Sequence, residues 1–454
     1  MDKGAFCFAS VRLVHLGHAT WLVDAAGLRL LCDPLLGQAH SGGTFATVPR
    51  RTIEASSTRA DFIIVSHAHP DHFDPESLAA LARVDADTVV ITPEPLVAEV
   101  ARIVGFRTVR EVAPGTRVDL DGLSLVTTPS RAPDVELGVV FLDRAAAVWN
   151  MIDTVFDTPN EVRQIREAAV GDRRLDVALV PVQPMREIAL ATAGHVGFDA
   201  RQYLHMLACA KEADSACYVP SAAGDAHAPP FDAMNAWVYP VSRERAAADL
   251  ARFAPSARVL MPDVGDAMVV EGGAVAVERG DVDFELLGGD PSRSFRPLEP
   301  APLVDPNLLG LPASTYKERI VAWLRSDLAP ALASTLGRRD DLGDLRLSLE
   351  IVSTDGREGF SFDRFGRIRD GIDPEYEVLV VAAASMLWEV IEGRRGWGEP
   401  LLAGLLRSSV RGISIVGDFG RPLSIAPIFL YYALSYGESV RRAAIHRARE
   451  AVSQ

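Results

Sequence analysis

Cysteine is scarce in this chain. The four cysteines, Cys7, Cys32, Cys209 and Cys217, are scattered and form no C-x-x-C pair. This excludes a disulfide scaffold, a zinc ribbon and an iron–sulfur cluster held by cysteines, and it is typical of a protein in a reducing cytosol. The N-terminal MDKGAFCFAS also lacks the apolar stretch of a signal peptide. We therefore expect a cytoplasmic protein.

Long apolar runs and a positive charge balance are also missing. The longest uncharged apolar run, PLSIAPIFLYYALSYG, is interrupted by prolines and is too short to span a bilayer. The formal net charge of −15 is opposite in sign to the basic surface that nucleic-acid binding usually requires. We expect neither a membrane nor a nucleic acid as partner.

Two common cofactor motifs do not occur either. There is no G-x-G-x-x-G loop for a flavin or nicotinamide, and no C-x-H…C-x-x-H pair for a Rieske cluster. If the chain performs redox chemistry, its electrons must therefore come from a separate reductase or ferredoxin.

Length and patterning predict two globular parts. With 454 residues, 48% of them hydrophobic, the chain is long enough for two domains. Residues 1–289 alternate short strands with helices and predict an α/β fold of two packed sheets with helices outside. The proline-rich residues 290–312 predict a linker. Residues 313–454 predict a smaller, mainly helical α+β domain, in which EYEVLVVAAASMLWEVIEG is an apolar helix, with a packing or substrate-covering role.

The strongest chemical signal is the stretch VSHAHPDHFDPESL, which follows the apolar strand DFIIV. In an extended backbone His67 and His69, two residues apart, point the same way. The chain then turns, so that Asp71 and His72 address a neighbouring point. Two imidazoles at one point and a carboxylate plus an imidazole at another predict a site for two metal ions.

At these residues the sequence resembles a known family. H-A-H-P-D-H after an apolar strand is similar to the metal signature of the metallo-β-lactamase fold, an αββα sandwich. HLGHATWLVDAAGLRLLCDP is similar to the opening of the branch that contains sugar-lactonase-type hydrolases and CMP-N-acetylneuraminate hydroxylases. The resemblance implies that Asp33 hydrogen-bonds the metal-binding loop and that His18 lies near the mouth of the metal site. The alternative for each is an ordinary turn residue.

The same resemblance implies further ligands. Asp153 in VWNMIDT fits the family's bridging aspartate, with N-capping of the next turn as the alternative. A third histidine is usual after the TTP strand, but TTPSRAPDVELGVVF offers only Asp134 and Glu136. We prefer Glu136, directly before the next strand, with Asp134 in reserve; the alternative for either is a solvated loop carboxylate. For the last ligand we prefer His227 in YVPSAAGDAHAPPF to His195 in TAGHVGF, which we place near the substrate.

The carboxylate in place of the third histidine decides the predicted chemistry. Carboxylates favour a redox-active iron over zinc, and a similar histidine-to-glutamate change marks the diiron monooxygenases of this fold, which act on thioester-bound acyl groups in natural-product pathways. The resemblance thus implies two iron ions, O₂ as co-substrate, a small substrate linked to a carrier or coenzyme A, and an electron-donating partner. The alternative is a hydrolase of an ester, lactone or phosphoester that uses zinc or manganese.

Overall fold

The structure, a computed structural model, describes residues 10–132, 134–181, 198–296, 302–338, 345–410 and 427–453. Its N-terminal part is rich in short strands. They are β1 (Ser10–Gly17), β2 (Thr20–Ala25), β3 (Leu28–Cys32), β4 (Ala39–His40), β5 (Phe45–Thr47), β6 (Arg51–Ile53), β7 (Phe62–Ile64), β8 (Val89–Thr92), β9 (Thr108–Glu111), β10 (Arg117–Leu120), β11 (Leu123–Pro129), β12 (Leu137–Leu142), β13 (Ala147–Asn150), β14 (Leu175–Pro181), β15 (Ser215–Ser221), β16 (Asp225–His227), β17 (Arg258–Val259), β18 (Asp266–Glu271), β19 (Ala274–Arg279) and β20 (Phe284–Leu286).

Two large sheets pack face to face. One has the order β19-β18-β1-β2-β3-β7-β8-β9 and the other the order β10-β11-β12-β13-β14-β15-β17. Their shared core includes Leu13 and Trp21 from the first sheet and Val139 from the second. Because successive strand residues point to opposite faces, Leu13 of β1 faces this core, whereas Val14 belongs to the core under the outer helices.

Helices cover both outer faces. In the N-terminal part they are α1 (Pro75–Val84), α2 (Pro95–Val104), α3 (Pro159–Val170), α4 (Ala200–Glu212) and α5 (Arg243–Phe253). The first two pack on the first sheet and the other three on the second. Several begin with a side-chain cap; Thr158, for example, accepts the Glu161 N–H. The αββα sandwich predicted from the sequence is confirmed.

The C-terminal part combines one sheet with helices. The sheet has the order β23-β22-β21-β24-β25, and its strands are β21 (Arg346–Ser353), β22 (Gly356–Asp363), β23 (Ile368–Asp370), β24 (Val378–Ala383) and β25 (Leu406–Val410). The helices are α6 (Ala313–Trp323), α7 (Ala329–Thr335), α8 (Ala384–Ile391), α9 (Gly398–Leu402) and α10 (Pro427–Ser453). Helix α10 returns to the N-terminal part, where Ala444 and Ala448 join the core beneath α1 and α2.

One helix prediction is wrong in its first half. EYEVLVVAAASMLWEVIEG contains β24 before α8, and β24 pairs in parallel with β21. The β-branched VLVV run suits a buried central strand, so only the segment from Ala384 onward is helical. The domain boundaries at 289 and 313 stay predictions. Among the described residues, no helix is long and apolar enough to cross a membrane.

A small sheet of order β16-β5-β4 in the N-terminal part contacts the C-terminal part, where His227 donates to the Leu402 carbonyl. Asp225 pairs with Thr47 and His227 with Phe45 across β16 and β5, while β4 ends at His40. This sheet lies between the H-A-H-P-D-H motif and the C-terminal part, so its residues can interact with both.

Candidate metal centre

The segment between β7 and α1 carries the H-A-H-P-D-H motif. It turns tightly at His69, whose carbonyl accepts the backbone N–H of His72 at 3.0 Å and that of Phe73 at 2.8 Å. It ends at Asp74, whose carboxylate caps α1 by accepting the Ser77 N–H at 2.9 Å. The strand, the turn and the cap together fix where the motif's side chains point.

His67 and His69 form a first donor pair, with Nε2 of His67 2.9 Å from Nδ1 of His69. Nδ1 of His67 lies 2.8 Å from Ser66 Oγ. Because the Ser66 hydroxyl itself donates to Asp33, it accepts from His67, which leaves the Nε2 of His67 without a proton. Burial, with the nearby His72 and His69 imidazoles, holds the pKa of His67 well below its usual range. His67 is thus neutral, the form that binds metals.

His72, Asp71 and Asp153 form a second donor group. Nε2 of His72 lies 3.1 Å from Asp153 Oδ2 and 3.3 Å from Asp71 Oδ2. Asp153 follows β13 of the second sheet, whereas the motif follows β7 of the first, so both sheets contribute. Burial opposes the charged form of His72, but Asp153 and Asp71 outweigh it and raise the pKa of His72 well above its usual range. A proton and a metal ion compete for this position.

Asp33 lies behind these donors and is fully buried. It directly follows β3 with φ 42°, in the left-handed region. Its Oδ1 accepts the Ser66 N–H at 2.8 Å; its Oδ2 accepts the Ser66 hydroxyl and the His72 Nδ1–H, both at 2.9 Å. The last bond fixes the His72 tautomer, so that the Nε2 facing Asp71 and Asp153 is free to bind a metal.

The spacing of the donors fits metal coordination. Two ligand atoms about 2.1 Å from one ion are about 3.0 Å apart at a right angle and about 3.4 Å apart at a tetrahedral angle. The distances of 2.9, 3.1 and 3.3 Å above lie close to this range. Donor atoms of His67, His72 and Asp153 lie within 4.8 Å of one another, as do those of His18, Asp71 and His72. His67, Asp71, His72 and Asp153 can hold metal ions at two adjoining points.

The structure distinguishes Glu136 from Asp134. Glu136 is 5% exposed, accepts a hydrogen bond from the Ser130 hydroxyl and is close enough to Asp153, His69 and His72 to feel their charges. Burial is the main reason why its pKa is raised to about 7. The Asp134 side chain is 44% exposed and lies 3.3 Å from Nε2 of His69, the nitrogen that faces away from His67. Glu136 is thus the buried carboxylate of this segment, and Asp134 orients His69.

His18 lies in a strained turn between β1 and β2, with φ 49°. Its Nδ1 accepts the Gly224 backbone N–H at 3.2 Å, so its proton sits on Nε2, which donates to Asp71 Oδ2 at 3.1 Å. In this tautomer His18 holds Asp71 in place and is not itself a ligand. A Cβ at Gly224 would lie 2.6 Å from the His18 backbone nitrogen, so the close approach requires glycine.

The structure does not bring His227 into the cluster. Its Nε2 donates to the Leu402 carbonyl at 2.9 Å, and its ring lies against Phe45, with centroids 4.4 Å apart. The donor groups found among the described residues do not include His227, and its choice as last ligand stays a prediction. The competing His195 lies outside the described residues.

Sequence reasoning missed Asp225 and His40. Asp225 is 2% exposed, its Oδ2 lies 4.0 Å from Nε2 of His40, and it feels the charges of His18, Asp71 and Asp153. Burial raises its pKa to about 6. Asp225 Oδ1 and His40 Nε2 are buried without a hydrogen-bond partner among the described residues, which is rare for such groups. Strand alternation places Asp225 on the same side as His227 and could have indicated it; no motif marks His40.

Carboxylates outnumber cationic groups around these residues. Asp33, Glu136 and Asp225 are buried and Asp71 and Asp153 are partly buried, and Arg293 is a described arginine that acts on Asp225. Buried carboxylates with so little opposing charge are costly. Divalent cations would supply that charge, so the donor set fits a two-metal centre.

Comparisons with known proteins agree with this geometry. Residues 12–137 match the beta-lactamase superfamily domain. A protein of Mycolicibacterium smegmatis, named as a Rieske 2Fe-2S iron–sulfur protein, is 30% identical over 155 residues, which cover 32% of this chain and 30% of that protein. The chain thus matches less than a third of that relative's length.

Two other relatives carry names that refer to metals. A metal-dependent hydrolase of Thermofilum pendens is 30% identical over 189 residues, which cover 38% of this chain and 71% of that protein. The crystal structure of CmlA, a diiron β-hydroxylase from Streptomyces venezuelae, has a TM-score of 0.40 and 12% identity over 57% of this chain and 54% of that one. With the αββα sandwich, the family match and the Thermofilum relative show that the chain belongs to the beta-lactamase superfamily.

Proposed function

We propose that this protein is a non-haem diiron monooxygenase that hydroxylates a C–H bond of a small organic substrate. The observation that carries the proposal is Glu136, a buried carboxylate close enough to His69, His72 and Asp153 to feel their charges. It stands where hydrolases of this fold usually have a third histidine. Oxygen ligands added to imidazoles favour iron over zinc.

The proposal divides the donors between two ions. His67 Nε2, His69 Nδ1 and Glu136 would hold one ion, Asp71 and His72 the other, and Asp153 would lie between them. Bound iron would supply the one-electron chemistry that O₂ activation needs.

The surrounding residues prepare these donors. Ser66 and Asp33 fix the tautomers of His67 and His72, and His18 keeps one oxygen of Asp71 engaged. His40 and Asp225, with their unpaired polar atoms, would bind solvent or a polar group of the substrate at the edge of the centre.

Electrons would come from a separate reductase or ferredoxin, because this chain has no Rieske ligand pattern of its own. The mycobacterial relative named for a 2Fe-2S cluster supports this part of the proposal, since a Rieske cluster transfers single electrons. As substrate we propose an acyl group held as a thioester on a carrier or on coenzyme A, in a natural-product pathway.

A second candidate is a metallo-hydrolase of an ester, lactone or phosphoester. The observation in its favour is the Thermofilum relative, which is named as a metal-dependent hydrolase. In that case zinc or manganese would occupy the same donors and would activate water for attack on the substrate.

One experiment separates the two candidates. The metal-free protein is loaded anaerobically with Fe²⁺ or Zn²⁺ and offered acyl thioesters with ¹⁸O₂ and a reductase–ferredoxin pair, and in parallel esters, lactones and phosphoesters. The monooxygenase predicts ¹⁸O in the product of the iron-loaded protein alone. Hydrolysis by the zinc-loaded protein, with no oxygen uptake by the iron-loaded one, would overturn the proposal in favour of the hydrolase.

A further inference from the structure

The small sheet β16-β5-β4 carries residues that lie near the metal centre and a residue that contacts the C-terminal part. Near the metal centre, the His40 and His18 rings lie 6.3 Å apart, and Asp225 lies beside His40. Toward the C-terminal part, His227 donates to the Leu402 carbonyl at the end of α9. The rings of His40 and Phe45 are stacked, with centroids 5.1 Å apart, which ties β4 to β5.

The guanidinium of Arg395, which lies between α8 and α9, hydrogen-bonds to the turn that joins β4 to β5. Its Nη2 donates to the Gly42 carbonyl at 2.9 Å, and its Nη1 donates to the Ser41 carbonyl at 3.2 Å and to Thr44 Oγ1 at 3.3 Å. Ser41 and Gly42 both have positive φ, at 52° and 61°. A left-handed conformation at Ser41 is costly unless its surroundings impose it. The guanidinium, bound to two successive carbonyls, imposes it.

Buried carboxylates hold Arg395 in turn. Glu399 is 3% exposed; its Oε2 lies 3.0 Å from Arg395 Nη1, while its Oε1 pairs with Arg447 of α10. Glu389 Oε2 lies 3.6 Å from Arg395 Nε. The Arg395 side chain is only 12% exposed, so its position is fixed from both sides of the contact.

Two hydrogen bonds connect this turn to the site. Ser41 Oγ lies 3.0 Å from His40 Nδ1, which sets the orientation of the ring whose Nε2 faces Asp225. Thr44 O accepts the Ala228 N–H at 2.9 Å, just beyond the end of β16, the strand that contains Asp225. A displacement of the turn would therefore reach both His40 and Asp225.

We propose that Arg395 is a positioning residue of the metal centre, through which the C-terminal part fixes the turn at Ser41–Gly43 and thereby His40 and Asp225. The C-terminal part would then position residues of the site, in addition to any role in covering it. The inference rests on the two-metal centre of the proposed function. It does not depend on whether the chemistry is oxygenation or hydrolysis.

The test compares R395K with R394K. Lysine at 395 keeps a positive charge beside Glu399 but cannot reach both carbonyls and Thr44 together. Arg394 is the matched control, because its contacts among the described residues are with Glu389 and Trp388 of the C-terminal part and not with the turn. Metal-free full-length proteins are titrated with Co²⁺ and followed by visible absorption, with circular dichroism and thermal unfolding as checks on folding.

We expect the first Co²⁺ to bind R395K as it binds the wild type, and the affinity for the second to fall about tenfold, as for a lost supporting contact. R394K should bind both ions normally. If R395K is less stable but binds the second ion like the wild type, or if both variants lose affinity equally, Arg395 is only structural and the inference is wrong. A wild type that binds fewer than two ions would contradict the proposed function itself, and the inference with it.

Discussion

Asp33 offers the sharpest test of how the protein holds its metal-binding imidazoles. The carboxylate accepts three hydrogen bonds and donates none. Asp33→Asn keeps the shape but replaces one acceptor oxygen by an NH₂ group, so a donor must now face a donor.

Each orientation of the new amide has a definite consequence. If its NH₂ group faces the Ser66 N–H, two buried donors are opposed, which costs about 1–3 kcal/mol. If it faces Ser66 Oγ and His72 Nδ1, both must accept. The proton of His72 then moves to Nε2, the atom that faces Asp71 and Asp153, and His72 can no longer bind a metal there.

We therefore expect D33N to fold but to lose affinity for metal, most of all at Asp71 and His72. Loss of such an orienting partner typically weakens metal binding about 10–100-fold, or about 1.4–2.7 kcal/mol. Titration calorimetry of the metal-free protein measures this directly, and thermal unfolding with and without metal checks the fold. Asp61→Asn is a suitable control, because Asp61 is exposed, directly precedes β7 and accepts the Arg29 N–H of the neighbouring strand β3 in the same sheet. A D33N protein that binds both ions with wild-type affinity would refute the reasoning.

Three further changes test other parts of the site. Glu136→His should still bind metal but shift its preference from iron toward zinc, measured by competition between the two ions; an unchanged preference would remove Glu136 from the ligand set. Gly224→Ala should destabilise the protein by about 1–3 kcal/mol in thermal unfolding, because its Cβ would lie 2.6 Å from the His18 nitrogen, whereas Gly37→Ala, with 3.7 Å to its nearest neighbour, should not; equal stabilities would contradict the close approach. His227→Gln should retain both metals and flatten the acid limb of the stability curve. Burial lowers the pKa of His227 from 6.5 to about 4, so the unfolded chain takes up this proton first, and stability is lost as pH falls from about 6.5 toward 4, by up to about 3 kcal/mol. An acid limb as steep as that of the wild type in urea unfolding would count against this.

The features that the sequence predicts best are those that depend on residues close together in the chain. The H-A-H-P-D-H motif places its donors by strand spacing and one turn, so His67, His69, Asp71 and His72 could be grouped without a structure. Their actual partners are more remote, since Asp153 comes from the other sheet, and a resemblance was needed to name it.

The misses are all matters of tertiary pairing. His227 shares a face of β16 with Asp225, but its Nε2 donates to the Leu402 carbonyl of the C-terminal part, a contact that the sequence does not reveal. His40 has no sequence signal, because its place depends on the turn that Arg395 holds from far along the chain. The VLVV run became a strand because a partner strand, β21, was available.

We propose that the two-metal centre of imidazoles and carboxylates selects iron. The most direct test of this claim is to produce the protein in iron-supplemented medium, to quantify its metals and to record absorption and Mössbauer spectra. We predict two iron ions per chain and the spectrum of a diferric centre, which takes up O₂ after reduction. Two zinc ions that survive purification, with no oxygen consumption once iron replaces them, would contradict the claim.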